Sequence, residues 1–250
     1  MTSFSYQLYS SREFPPLEDT FAMLRGLGYE QVEGFGGVYG NPAGLKAALD
    51  RNGLKMTSGH FGLDMLENEP DRVLEIAGAT GMKAIFCPHI AAELRPGTAE
   101  GWTAFGQRLA EAGEPFTRAG LVYGWHNHDF ELRPLADGSV PLALMFDAAP
   151  SLAWEGDIAW VARGGADPLE WIARYGDRLA AVHIKDIAPD GDKADEDGWD
   201  DVGHGTMPWK QIWAAVSGTP ASIFVMEHDK PSDHERFARR SIEAAQNFQE

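Results

Sequence analysis

LVYGWHNHDFE, residues 121–131, starts as an apolar strand and ends in a run of groups that bind protons and metal ions. Three later words repeat that grammar: WEGDIAW (154–160), VHIKD (182–186) and VMEHD (225–229), each a short apolar run closing on Asp, His, Lys or Glu. Side chains two apart on a strand share a face, so His126 with His128, His183 with Lys185, and Glu227 with Asp229 each point the same way. Polar pairs at the carboxyl ends of strands are where parallel α/β barrels build their sites.

Outward from these words, β-type runs alternate with helical spacing along the whole chain. The strands read as Phe4–Tyr9, Gln31–Phe35, Lys55–Phe61, Lys83–His89, Leu121–His128, Leu152–Asp157, Leu179–Asp186 and Ser222–Asp229. Helical patterns fill the gaps: Leu17–Leu27, Asn41–Asn52, Asp64–Thr80, Thr98–Ala119, Pro141–Ala148, Trp160–Tyr175, Pro208–Val216 and Asp233–Phe248. Eight βα units predict a closed (β/α)8 barrel as one domain, residues 1–250, rather than an open doubly wound sheet. No GxGxxG follows the first strand and no GxxxxGK[ST] occurs, so the nucleotide-binding folds lose their usual mark.

Composition narrows the partners. With 38 acidic against 21 basic residues the net charge is −17, which repels a phosphate backbone and argues against nucleic acid. Cys87 is the only cysteine, so no intrachain disulfide forms. The first 20 residues carry Arg12, Glu13, Glu18 and Asp19 and no long apolar run, so neither a signal peptide nor a membrane span is expected, and a cytoplasmic protein is. The apolar helices around Trp171 and Trp209, with the habit of barrels to associate, lead us to expect a homo-oligomer.

The four words deliver Glu131, Asp157, His183 and Glu227 from successive βα units. Carboxylate oxygens with imidazole nitrogen suit one divalent ion, Mn²⁺, Mg²⁺, Co²⁺ or Zn²⁺. Glu227, after Ile223-Phe224-Val225-Met226, is a carboxylate too costly to bury unless paired or metal-bound. Asp157 has a plainer reading as the cap of the following helix. His126 and His128 titrate near neutrality and suit general acid/base work. The Lys185 ammonium is placed to stabilise a developing oxyanion or, more simply, to pair with Asp186, Asp229 or Glu227. Glu33, His60 and His89 lie at earlier strand ends as substrate-binding candidates, and Trp125 and Trp160 are candidates for an apolar wall of the substrate site. The acid-rich stretch 189–201, with Lys193 its one basic residue, reads as a solvated loop. In Val202-Gly203-His204-Gly205-Thr206 a phosphate cradle is the weaker of two readings.

HNHDFE, the run from WEGDIAW to VHIKD, VGHGTMPW and VMEHD together resemble the sugar phosphate isomerase/epimerase superfamily, the xylose-isomerase-like TIM barrels. Within it they resemble the branch of inosose dehydratase-like proteins and 3-keto-sugar lyases. The resemblance implies a metal-dependent isomerase or epimerase acting on a keto-sugar or polyol ketone through an enediolate. It also leaves open a dehydratase or lyase that eliminates a β-leaving group from a 3-keto sugar or inosose, or a non-catalytic sugar-binding subunit. It puts Asp157, His183 and Glu227 on metal-ligand positions. Many relatives place a Glu at the end of strand five, where this chain has His126, so the fourth donor is His126 or Glu131. Endonucleases of abasic DNA share the barrel but need a basic groove, which the net charge opposes.

Overall fold

The computed structural model describes residues 2–248. Eight parallel strands close into a barrel: β1 (Ser5–Gln7), β2 (Gln31–Gly34), β3 (Lys55–His60), β4 (Ala84–Cys87), β5 (Val122–His126), β6 (Ala153–Asp157), β7 (Leu179–Ile184) and, after a small ribbon, β10 (Ile223–Met226). Strand β10 pairs with both β1 and β7, so the sheet has no free edge. All eight expected strands are present, shorter than the apolar runs that announced them.

The helices follow in order: α1 (Leu17–Gly26), α2 (Pro42–Arg51), α3 (Leu63–Asn68), α4 (Pro70–Thr80), α5 (Ala99–Arg118), α6 (Pro141–Ala148), α7 (Ile158–Arg163), α8 (Pro168–Tyr175), α9 (Trp209–Val216) and α10 (His234–Gln246). Side-chain caps start several of them, with Asn41 accepting from Gly44 N at 3.0 Å, Asp167 from Leu169 N at 2.8 Å and Asp233 from Arg236 N at 2.9 Å. Two expected helices are each broken in two. Pro70 lacks the N–H that would continue α3, so it restarts the chain as the first residue of α4. Gly164 and Gly165 separate α7 from α8, Gly165 at φ 84°.

The main core lies between barrel and helices, where Trp125, Trp154, Phe146, Phe105 and Phe116 are buried. Inside the barrel the filling is layered. Its amino-terminal end holds a small apolar plug of Ala84, Phe86 and Ala181. Gly124 is needed beside it, since a Cβ there would run into the Ala153 carbonyl and the Phe86 ring. Above the plug the interior becomes ionic, which no apolar-core rule anticipates.

After β7 the chain leaves the barrel as an antiparallel ribbon, β8 (Asp186–Ile187) against β9 (Trp199–Asp200). The acid-rich stretch is solvated only in part: Asp190, Asp192, Asp195 and Asp197 are exposed, whereas Glu196, Asp200 and Asp201 are buried. Glu196 accepts from Ser232 N at 2.7 Å and Arg236 Nη2 at 2.8 Å, and Asp201 from Arg240 Nη1 at 2.7 Å. The glycine-rich loop wraps a carboxylate of its own chain, with Gly203 N and Met207 N each donating to Asp186 at 2.9 Å. Trp209 is buried, stacked on Phe248 and donating to the Lys185 carbonyl, so it is not part of an outer apolar face. No helix among the described residues is long and apolar enough to cross a membrane.

Candidate active site and metal centre

Two β-bulge irregularities precede the site. The β2–β3 register shifts between Val32 and Glu33, and the β6–β7 register between Trp154 and Glu155. Bulges re-aim side chains beside functional sites. Here both carboxylates just after the shift are fully buried inside the barrel.

Glu33, His60, Glu155 and His183 form the lower layer. His60 Nε2 lies 2.5 Å from Glu155 Oε2 and 3.2 Å from Glu33 Oε1. His183 Nε2 meets Glu33 Oε1 at 2.7 Å. Gln7 Nε2 donates to the same Glu33 oxygen at 2.8 Å, and Ser58 Oγ donates to the other. Burial alone would raise Glu33, but His60 and His183 outweigh it and hold the carboxyl well below its ordinary range. Burial likewise pulls the His60 imidazole down, and Glu155 and Glu33 reverse this, raising it to about 10. His60 is thus a protonated imidazolium at neutral pH.

The upper layer joins His126, Asp157, His183, Glu227, Lys185 and Asp229. His183 Nδ1 lies 2.7 Å from Glu227 Oε2. Lys185 Nζ sits 3.0 Å from Asp157 Oδ2, 3.0 Å from Glu227 Oε2 and 2.8 Å from Asp229 Oδ2. Asp157 serves two ends: Oδ1 caps α7 by accepting from Trp160 N at 2.9 Å, while Oδ2 faces the layer, within ion-pair reach of Lys185 but with no well-formed hydrogen bond. Burial raises Asp157 to about 6 against the pull of Lys185. Burial, then the charges of His183 and His60, push His126 well below its usual range.

A divalent cation fits this upper layer. One donor atom from each of His126, Asp157, His183 and Glu227 lies within 4.8 Å of the others. Buried His126 Nδ1 and Asp157 Oδ2 have no hydrogen-bond partner, the condition that metal ligation relieves. A neutral His126 has a lone pair to give. Glu33, accepting from His183 Nε2, is the outer carboxylate that commonly orients a ligating imidazole. A second grouping, His60, His126, Glu155 and His183, also lies within 4.8 Å. Its His60 and Glu155 are already closed on each other, and it shares two members with the first, so it is the poorer fit.

A cavity of about 390 Å³ opens above these layers at the carboxyl ends of the strands, lined among others by Tyr9, Phe35, His60, His126, His128 and Glu227. Burial depresses His128 to about 3, with Lys185 adding to the effect, so this imidazole is neutral, and its Nδ1 is unpartnered. Two imidazoles of opposite protonation therefore face one cavity.

Several expected residues lie elsewhere. Glu131 does not join the cluster: its oxygens accept from Trp125 Nε1 at 2.8 Å and His128 N at 3.0 Å. Trp125 points into the helix layer, edge-on to Phe105, so it is no wall for a substrate. Trp160 packs between His128 and Trp199, outside the cavity lining. Glu33 is sealed below the cavity, and Lys185, fully buried beside three carboxylates, does not line it. His89 does line it, with Arg95 Nη2 3.0 Å from its Nε2. The residue that sequence reasoning missed is Glu155. Its signal was alternation, since it lies two before Asp157 on the same inward face.

The chain is thus a (β/α)8 barrel with a buried imidazole–carboxylate cluster at the carboxyl ends of its strands. Residues 21–248 match the family model described as xylose isomerase-like TIM barrel, and the chain belongs to that family. It is 26% identical over 210 residues to the rhizopine catabolism protein MocC of Rhizobium meliloti, an alignment covering 73% of this chain and 61% of that protein. The chain thus spans less than two thirds of that relative's length. The fold is shared with a sugar phosphate isomerase/epimerase from Parabacteroides distasonis, at TM-score 0.82 and 19% identity, covering 99% of this chain and 93% of the other. It is shared too with the 3-keto-D-glucoside 4-epimerase YcjR of E. coli, at TM-score 0.72 and 18% identity, covering 99% and 100%.

Proposed function

We propose that the chain is a divalent-metal-dependent isomerase or epimerase of a keto-sugar or polyol ketone, working through an enediolate. The observation that carries this reading is the convergence of four metal donors beside one cavity that His60 and His128, shifted in opposite directions, both line. Groups whose pKa values are driven apart divide the roles of base and acid. His126, Asp157, His183 and Glu227 hold the cation. When bound, it supplies the Lewis acidity that makes a C–H beside a carbonyl acidic enough to leave.

His128, neutral and lining the cavity, takes that proton. The His60 imidazolium donates to the oxygen on which charge develops, while Glu155 and Glu33 keep it protonated. Tyr9 and Phe35, edge-on with centroids 5.4 Å apart, supply the aromatic face against which a sugar ring rests. Return of the proton to the opposite face gives the epimer, and its return to the neighbouring carbon gives the isomer.

The test incubates metal-stripped and Mn²⁺-reloaded protein in D2O with a panel of ketoses, inososes and 3-keto glycosides. Metal-dependent deuterium entry beside the carbonyl of at least one member is expected. Loss of a β-substituent instead of exchange would assign the dehydratase or lyase reading. Saturable sugar binding with no turnover across the panel would leave a sugar-binding protein and end the enzymatic reading.

A further inference from the structure

Lys185 is fully buried, a costly place for an ammonium unless its surroundings compensate it. Those surroundings are complete. Three carboxylates lie at 2.8–3.0 Å, and the Trp199 and Trp160 rings stand 4.7 and 5.3 Å from Nζ. Trp209 Nε1 fastens its carbonyl at 3.2 Å. Around the two layers five carboxylates converge, Glu33, Glu155, Asp157, Glu227 and Asp229. Among the described residues Lys185 is the one lysine or arginine in ion-pair contact with any of them. Two of its three partners, Asp157 and Glu227, belong to the four-donor set, and the third, Asp229, does not.

We propose that Lys185 is a built-in counter-cation of the metal centre: its ammonium and a divalent ion draw on the same two carboxylates, so each weakens the hold of the other. This rests on the metal reading above. Without metal, Lys185 keeps Asp157 and Glu227 from facing each other uncompensated, and the barrel interior stays assembled. With metal, the fixed positive charge beside the ligands lowers affinity, and Asp229 remains as the anchor that the cation does not share. Lys185 is on this account a positioning residue and not a contact of the substrate.

The sign of one substitution separates this from a merely structural role. A lysine that only braced the fold would, when removed, loosen the ligands and weaken metal binding. A competing cation, when removed, tightens it. Metal-free wild type, Lys185→Met, Lys185→Arg and Glu227→Gln are titrated with MnCl2 by isothermal calorimetry, and each is melted without metal. We expect Lys185→Met to bind Mn²⁺ at least tenfold more tightly than wild type while melting earlier in its metal-free form. Lys185→Arg, which keeps the charge, should stay within about threefold of wild type. If the Met variant does not fold, Lys185→Gln carries the same expectation. Equal or weaker binding by the uncharged variant overturns the proposal. Saturable binding by wild type that Glu227→Gln abolishes, with no tightening in the uncharged variant, removes the coupling and leaves the metal centre standing. No saturable binding by any of the four proteins removes both.

Discussion

Glu196 ties the ribbon after β7 to the last helix, and its replacement by Gln yields a measurable loss. Oε1 accepts from Ser232 N at 2.7 Å and Arg236 Nη2 at 2.8 Å, and Oε2 from Arg236 Nη2 at 3.1 Å and Lys193 Nζ at 3.3 Å. Burial would raise this carboxyl, but the Ser232 and Arg236 hydrogen bonds outweigh it and lower it from 4.5 to about 2. At about 1.36 kcal/mol per unit, this difference is worth about 3 kcal/mol at neutral pH. Screening at the partly exposed Arg236 trims it to about 2–3 kcal/mol. The sign follows from the depressed folded value. The unfolded chain takes up the proton near 4.5 while the folded one resists until about 2, so the stabilisation is full above pH 5.5 and fades as pH falls. Glu196→Gln should therefore lower Tm at pH 7 by roughly 4–12 °C, at roughly 2–4 °C per kcal/mol for a chain of this size. In urea unfolding, its deficit against wild type should narrow by a little under ~1 kcal/mol between pH 7 and pH 4. A deficit below ~0.5 kcal/mol, or one that does not change with pH, would refute the reasoning.

Gly205→Ala should destabilise by about 1–3 kcal/mol, because a Cβ there would meet the Asp186 carboxylate and the Ile187 carbonyl; a melting curve matching wild type would show that the loop yields. Glu33→Gln removes one of the two carboxylates that hold His60 at about 10, so ¹⁵N-detected titration of the metal-free protein should show His60 falling by at least about one unit. An unchanged value would mean that Glu155 alone holds the proton.

The four strand-end words exposed the barrel and the general place of its site because alternation and apolar runs are local signals. Asp157, His183 and Glu227 converge as their positions in successive units imply. Glu131 lies outside because the chain turns through a 3-10 segment, Phe130–Leu132, and carries its carboxylate back under Trp125 and His128. A reading by distance along the sequence cannot see that reversal. Glu155 carried a legible signal, yet an acid in a strand ordinarily reads as solvent-facing, and only the closed barrel shows both it and Asp157 pointing inward. The pairing of Glu196 with Arg236 spans 40 residues, so the local charge pattern shows the solvated acids Asp190, Asp192, Asp195 and Asp197 but not that Glu196 and Asp201 are buried in ion pairs. The helix breaks at Pro70 and Gly164–Gly165 were visible as punctuation and were overridden by apolar spacing on either side.

The central claim is that His128 moves a proton beside the cation held by His126, Asp157, His183 and Glu227. It is tested most directly by the rate of solvent deuterium entry beside the carbonyl of the best keto-sugar from the panel, measured for Mn²⁺-loaded wild type and His128→Asn with metal content determined on the same samples. The account predicts equal metal in both and exchange slowed at least ~100-fold in the variant, the scale at which a general base contributes. Wild-type exchange by a metal-replete His128→Asn protein would contradict it.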